Sequence, residues 1–187
     1  PPRATVGTAS LRRQALVMRR RPDIAVINLR GNVETRLRKL EQGLADATLL
    51  ALAGLKRLGL AHRATAVLAI DEFLPAVGQG IIALEARSDD ARVLAYLAAL
   101  NDVDTASALA AERAYLAVLD GSCRTPIAGH ATIAGGQLRL RGLIANPDGS
   151  ACFETQREGS TADAVRIGVD AGRELKARAG AGFFHPE

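Results

Sequence analysis

The chain has no tryptophan, two tyrosines and four phenylalanines among its 187 residues. So few rings leave little on which bases could stack, which counts against a nucleic-acid surface despite a net charge of +4. Only two cysteines occur, too few for a disulfide scaffold and in keeping with a reducing cytoplasm. No run approaches the roughly 18 apolar residues that a membrane-spanning helix needs. Histidine is confined to His62, His130 and His185, and no metal site is read from them. Internal repeats and low-complexity tracts are missing too. The chain opens on Pro1-Pro2-Arg3 rather than methionine, so upstream residues are expected and the lack of a targeting signal excludes nothing.

A hydrophobic content of 48% with 24% charged residues describes an ordinary globular protein, long enough for one large or two small domains. The charge is unevenly spread. Residues 1–63 carry 13 Lys+Arg against 4 Asp+Glu, and the remainder 11 against 16. A basic first part joined to an acidic second part points to an anion site in the first.

Residues 4–8, 24–27 and 47–52 read as short buried strands. Between them lie helices over 11–20, capped by Ser10, and from Asn32 to about residue 42, where Gly43 closes the turn. A short helix follows over 53–59. This alternation predicts a βαβ layout with a mostly parallel sheet, the architecture of periplasmic-type ligand receptors. Ligands of such sheets bind beyond the carboxyl ends of the strands, where helix N-termini point. Residues 73–80, with one proline and two glycines, read as a hinge. A strand over 81–86 and a helix over 89–100, capped at Ser88, are expected next. From Asp104 the pattern becomes helix, three antiparallel strands (129–134, 137–145, 151–157) and a last helix capped by Thr161, a small α+β domain. The expected division is 1–76, 77–100 and 101–187.

The rim beyond the first strands gathers Thr8, Ser10, Arg12, Arg13, Arg30, Gly31, Asn32, Arg36 and Gly54. An arginine near a helix start is usually only surface, but several on one rim suit carboxylates, which guanidinium forks grip bidentately. The other distinctive stretch is Glu112-Arg113, then seven residues, then Gly121-Ser122-Cys123-Arg124-Thr125-Pro126-Ile127. It predicts a helix ending in a tight turn that presents Cys123, with Arg113 and Arg124 favouring the thiolate. On chemistry alone a lone cysteine is more often a small buried residue.

Together, Leu119-Asp120-Gly121-Ser122-Cys123-Arg124-Thr125-Pro126-Ile127-Ala128, Gly7-Thr8-Ala9-Ser10-Leu11-Arg12-Arg13-Gln14 and Leu29-Arg30-Gly31-Asn32-Val33-Glu34-Thr35-Arg36-Leu37 resemble porphobilinogen deaminase (hydroxymethylbilane synthase). Leu52-Ala53-Gly54-Leu55-Lys56-Arg57-Leu58-Gly59 and Leu74-Pro75-Ala76-Val77-Gly78-Gln79-Gly80 carry the same likeness, in the family's order. Ala9 stands where the family often has a second serine. The resemblance implies a transferase of tetrapyrrole (haem) biosynthesis. Its dipyrromethane cofactor would be held by a thioether to Cys123. Four porphobilinogen units would be added, with loss of ammonia, before hydrolysis releases hydroxymethylbilane. Arg12, Arg13, Arg30 and Arg36 would bind acetate and propionate groups of the cofactor and growing linear pyrrole chain. Thr8, Ser10, Gly31, Asn32, Gly54 and Gln79 would line the cleft, and Arg57 would join the basic set.

The family's His-Ser-x-Lys-Asp stretch, whose aspartate assists the chemistry, has no counterpart here. The chain is therefore expected to be the second and third domains of a monomeric cytoplasmic enzyme, inactive alone, with no catalytic residue of its own and no nucleic-acid or membrane partner. The segment over 81–98 would return to the missing N-terminal domain. A non-catalytic anion-binding module and, behind it, a nucleic-acid-binding domain are the rival readings.

Overall fold

The computed structural model describes residues 1–119 and 125–183. Its first unit is built on three very short strands. Thr5–Gly7 (β1) pairs in parallel with Ala25–Ile27 (β2) on one side and Ala47–Thr48 (β3) on the other, giving the order β2-β1-β3. Parallel neighbours cannot be joined by hairpins, so helices cross between them: Leu11–Arg20 (α1) and Val33–Glu41 (α2). Leu52–Arg57 (α3) follows, with a single 3-10 turn at Ala61–Arg63. The chain runs outward from β1 to β2 and then back across to β3, so the reversal lies beside β1, the position at which such sheets open a ligand crevice.

Both caps expected in the first unit are made. Ser10 Oγ accepts from the Arg13 amide at 3.4 Å, and Asn32 Oδ1 accepts from the Thr35 amide at 2.8 Å. Asn32→Ala should therefore lower the unfolding free energy by about 1 kcal/mol, read from the urea midpoint at constant slope.

Past the first unit, Ala91–Ala98 (α4) and Val103–Val118 (α5) lead to the second. Strands Ile127–Ala134 (β4), Gln137–Ala145 (β5) and Cys152–Ser160 (β6) form an antiparallel sheet in the order β4-β5-β6. Gly135 (φ +57°) and Gly136 (φ +74°) supply the left-handed turn between β4 and β5. Helices α5 and Ala164–Ala179 (α6) pack on one face of the sheet, around Tyr115, Leu138, Leu140, Ile144, Ile167 and Leu175. Gly129 and Gly142 are register partners, and a Cβ on either would lie within 3.3 Å of the Tyr115 ring. Two facing glycines thus make a flat seat for the ring, whose hydroxyl donates to the Leu143 carbonyl at 3.2 Å. Burial pushes that phenol's pKa up, so it stays a neutral donor.

The two units share a core. Ala15, Leu16 and Leu74 from the first pack against Ala128, Leu143 and Ala145 of the second. Around that patch Gln14 Nε2 donates to the Pro147 carbonyl at 3.1 Å, Arg19 pairs with Glu154 at 2.7 Å, and Arg141 pairs with Asp71 at 2.5 Å.

Four local expectations are corrected. Residues 81–86 form no strand, and Ile82 is 89% exposed: an apolar run becomes a strand only where a neighbour takes up its backbone groups, and none of the described strands does. The third strand stops at Thr48 instead of reaching residue 52. Capping also shifts, because Asp90 rather than Ser88 accepts from the first turn of α4, and Ser160 rather than Thr161 caps the 3-10 turn that precedes α6.

Candidate functional site

The carboxyl ends of β1, β2 and β3 open towards α1, α2 and α3. Thr8, buried just past β1, accepts the Ser10 amide on Oγ1 at 3.1 Å and so shapes the turn into α1. That turn sets two consecutive arginines on the first turn of α1. Each is half-buried and each is fixed by a backbone carbonyl from a different wall: Arg12 Nη1 to Leu74 and Arg13 Nη1 to Leu49, both at 2.6 Å.

A cavity of about 520 Å³ lies against this pair. Arg12, Arg13, Thr48, Arg63 and Gln79 give it a polar side, together with Asp46, whose Oδ2 accepts from the Thr5 amide at 2.7 Å, and Leu50 and Phe73 belong to its apolar side. Arg36 is close enough to Arg13 to repel it, and its own Nε donates to the Gly31 carbonyl at 2.8 Å. Burial, and then the neighbouring Arg13, lower the Arg12 pKa to about 10; burial, and then Arg36, lower that of Arg13. Arg12 still lies far above neutrality and is a cation at pH 7. Among the described residues, the arginine ion pairs are made by other arginines, and no carboxylate comes within 4.0 Å of Arg12, Arg13 or Arg36. Cations partly withdrawn from water, mutually repelling and without carboxylates of their own, are stabilised by an anionic ligand.

The sequence-predicted set is thus brought together only in part. Arg12, Arg13 and Gln79 line the cavity; Thr8 and Ser10 form the turn beneath it, and Arg36 stands beside Arg13. Arg30, Gly31, Asn32 and Arg57 are exposed at the surface, outside the cavity lining. Gly54 abuts α2, where a Cβ would meet Val33 at an ordinary 3.6 Å. Cys123 lies outside the described residues. The other cysteine, Cys152, is the first residue of β6; its sulfur accepts from Arg19 at 2.7 Å, and burial pushes its pKa up despite that cation.

Sequence reasoning singled out Glu112 and the 73–80 hinge but missed that the one holds the other. Glu112, 4% exposed, accepts the Gly78 amide on Oε2 at 2.6 Å and the Ala131 amide on Oε1 at 2.7 Å. A glutamate within an Ala-rich helix was the available signal, since a carboxylate on an apolar face needs partners. Phe73, which bridges the cavity and the shared core, had only its place at the start of the 73–80 stretch to mark it.

Comparison with known proteins accords with this layout. A family model described as "Porphobilinogen deaminase, dipyromethane cofactor binding domain" matches residues 1–95, and one described as "Porphobilinogen deaminase, C-terminal domain" matches residues 106–177. Porphobilinogen deaminase of Nitrobacter hamburgensis is 62% identical over 184 residues, which are 98% of this chain and 58% of that protein. The Paracoccus denitrificans protein of the same name is 54% identical over 98% of this chain and 59% of its own length. A rice protein, named as chloroplastic porphobilinogen deaminase, is 54% identical over 98% and 52% respectively. The chain therefore spans between half and three-fifths of the length of these curated relatives, and no helix among its described residues is long and apolar enough to cross a membrane. With both family models matched in order and identity sustained along nearly its whole length, the chain belongs to the porphobilinogen deaminase family.

Proposed function

We propose that this chain supplies the cofactor-holding part of a hydroxymethylbilane synthase, a cytoplasmic transferase that condenses four porphobilinogen units with loss of ammonia. The observation that carries the reading is the Arg12–Arg13 pair: two half-buried cations on one cavity wall, with no carboxylate partner among the described residues. A dipyrromethane suits this donor set, since its rings are flat and apolar and its acetate and propionate arms are anionic. When bound, that group supplies the free pyrrole carbon to which further rings are added. Arg12 and Arg13 receive carboxylates, each oriented by the carbonyl it already holds. Arg36 adds positive potential behind Arg13, and Phe73 and Leu50 shelter the rings from water. Arg30 and Arg57, which are exposed, serve the growing pyrrole chain as it lengthens beyond the cavity.

Cys123 is the proposed thioether anchor, five residues past α5 and four before β4. Cys152 is a poor alternative, because its raised pKa keeps it a thiol and Arg19 holds the sulfur against β6. Heating with acidic p-dimethylaminobenzaldehyde should colour a chain extended to the full length of its relatives. Mass spectrometry should then find the adduct retained in Cys152→Ser and missing in Cys123→Ser. An adduct on Cys152 would reverse the assignment. Anion binding with no colour in any form would make the protein a non-catalytic receptor instead.

A further inference from the structure

Residues 71–79 form a strap between the units, and its hydrogen bonds run to both sides. On one side Arg12 Nη1 donates to the Leu74 carbonyl at 2.6 Å. On the other, the Gly129 amide of β4 donates to the very next carbonyl, that of Pro75, at 3.0 Å. Three residues on, the Gly78 amide donates to Glu112 of α5, and Gln79 then lines the cavity.

We propose that Arg12 is a positioning residue that ties occupancy of the cavity to the placement of this strap on the second unit. The inference rests on the reading that Arg12 receives a ligand carboxylate. A guanidinium carries five N–H donors in a rigid planar fork, so one edge can stay on the Leu74 carbonyl while the other faces the cavity. Leu74 and Pro75 make a stiff unit. The proline ring fixes its own φ, the residue before a proline is restricted as well, and Leu74 is 5% exposed in the shared core. A displacement of the Leu74 carbonyl is therefore passed to the Pro75 carbonyl rather than absorbed between them. Pro75 in turn holds β4 next to Ala128, which is fully buried in that same core. A carboxylate on the free edge of Arg12 offsets its repulsion by Arg13 and steadies the fork, and with it the strap and the start of β4. Arg13 cannot act in this way. Its carbonyl partner, Leu49, follows β3 and belongs to the first unit alone.

Amide hydrogen exchange on the 187-residue chain tests this. Without ligand, Arg12→Met should speed exchange at Gly78 and Gly129 roughly tenfold, an opening change of about 1.4 kcal/mol, while Arg13→Met leaves both unchanged. Equal effects of the two substitutions would overturn the proposal. Saturating porphobilinogen should slow the same two amides in the wild type. Arg12→Lys keeps the charge and serves if Arg12→Met does not fold. Lacking the fork, it should bind porphobilinogen by calorimetry without slowing these amides. Slowing of equal size in Arg12→Lys would remove the link while leaving the carboxylate site intact. If the wild type gave no binding heat, the carboxylate site itself would fall, and the link with it.

Discussion

Gly168→Ala should destabilise the second unit by roughly 2 kcal/mol, although alanine is the better helix former by about 1 kcal/mol. The reason is the approach of α6 to α5. A Cβ on Gly168 would stand 2.1 Å from the Ala111 carbonyl oxygen and 2.9 Å from the Ala114 Cβ. The first contact is with backbone inside a helix, so no side-chain rotation relieves it and the helices must separate. Separation uncovers a core in which Ala111, Tyr115, Ala171 and Leu175 are all fully buried. Overpacking of this kind costs about 1–3 kcal/mol and occasionally more, and a contact this short belongs at the upper end. After the propensity gain is subtracted, the sign remains unfavourable. Gly172→Ala should cost less, since its Cβ would meet the Val118 Cβ at 2.8 Å and the Tyr115 carbonyl at 3.0 Å. Gly54→Ala, with nothing nearer than 3.6 Å, should be neutral or slightly stabilising. Urea midpoints at constant slope give the order directly. A stabilised Gly168→Ala would mean that α5 and α6 do not meet as described.

What was legible in the sequence was what local chemistry decides. Ser10 and Asn32 were readable as caps because a cap acts within three residues of itself. The period-two alternation of β5 fixed which side chains face the helices: Leu138 and Leu140 are fully buried. Apolar runs misled where pairing was the deciding factor. Residues 81–86 and 47–52 look alike in composition, yet only Ala47–Thr48 finds a neighbouring strand among the described residues. Within the candidate site, Arg12 and Arg13 were readable from their place after a strand and a cap. That Leu49 and Leu74 orient them was not, because those carbonyls come from residues 36 and 62 positions away. Arg30 and Arg57 had the same local credentials but remain at the surface, since a basic residue near a turn does not itself say which way the turn faces.

Glu112→Leu should be the most damaging single change at the hinge, with an expected loss of roughly 2–5 kcal/mol. The carboxylate is 4% exposed and serves two backbone donors that belong to different parts of the chain: Gly78 of the strap and Ala131 of β4. Leucine matches its bulk but accepts neither bond. Two buried N–H groups would then lack partners, and each such loss costs about 1–3 kcal/mol. Burying leucine returns part of this, but the vacated site is polar, so the apolar gain is small beside the desolvated amides. Glu112→Gln should fall between, because a carboxamide offers one oxygen and turns its own N–H groups towards the second donor. Amide exchange should locate the damage. The Ala131 amide should exchange faster in both variants, and the Gly78 amide faster in Glu112→Leu. Because Gln79 follows Gly78 and lines the cavity, a ligand held there as proposed should bind more weakly as strap protection falls. A Glu112→Leu chain within about 0.5 kcal/mol of wild type, with both amides protected, would show that the hinge is held by its apolar contacts alone.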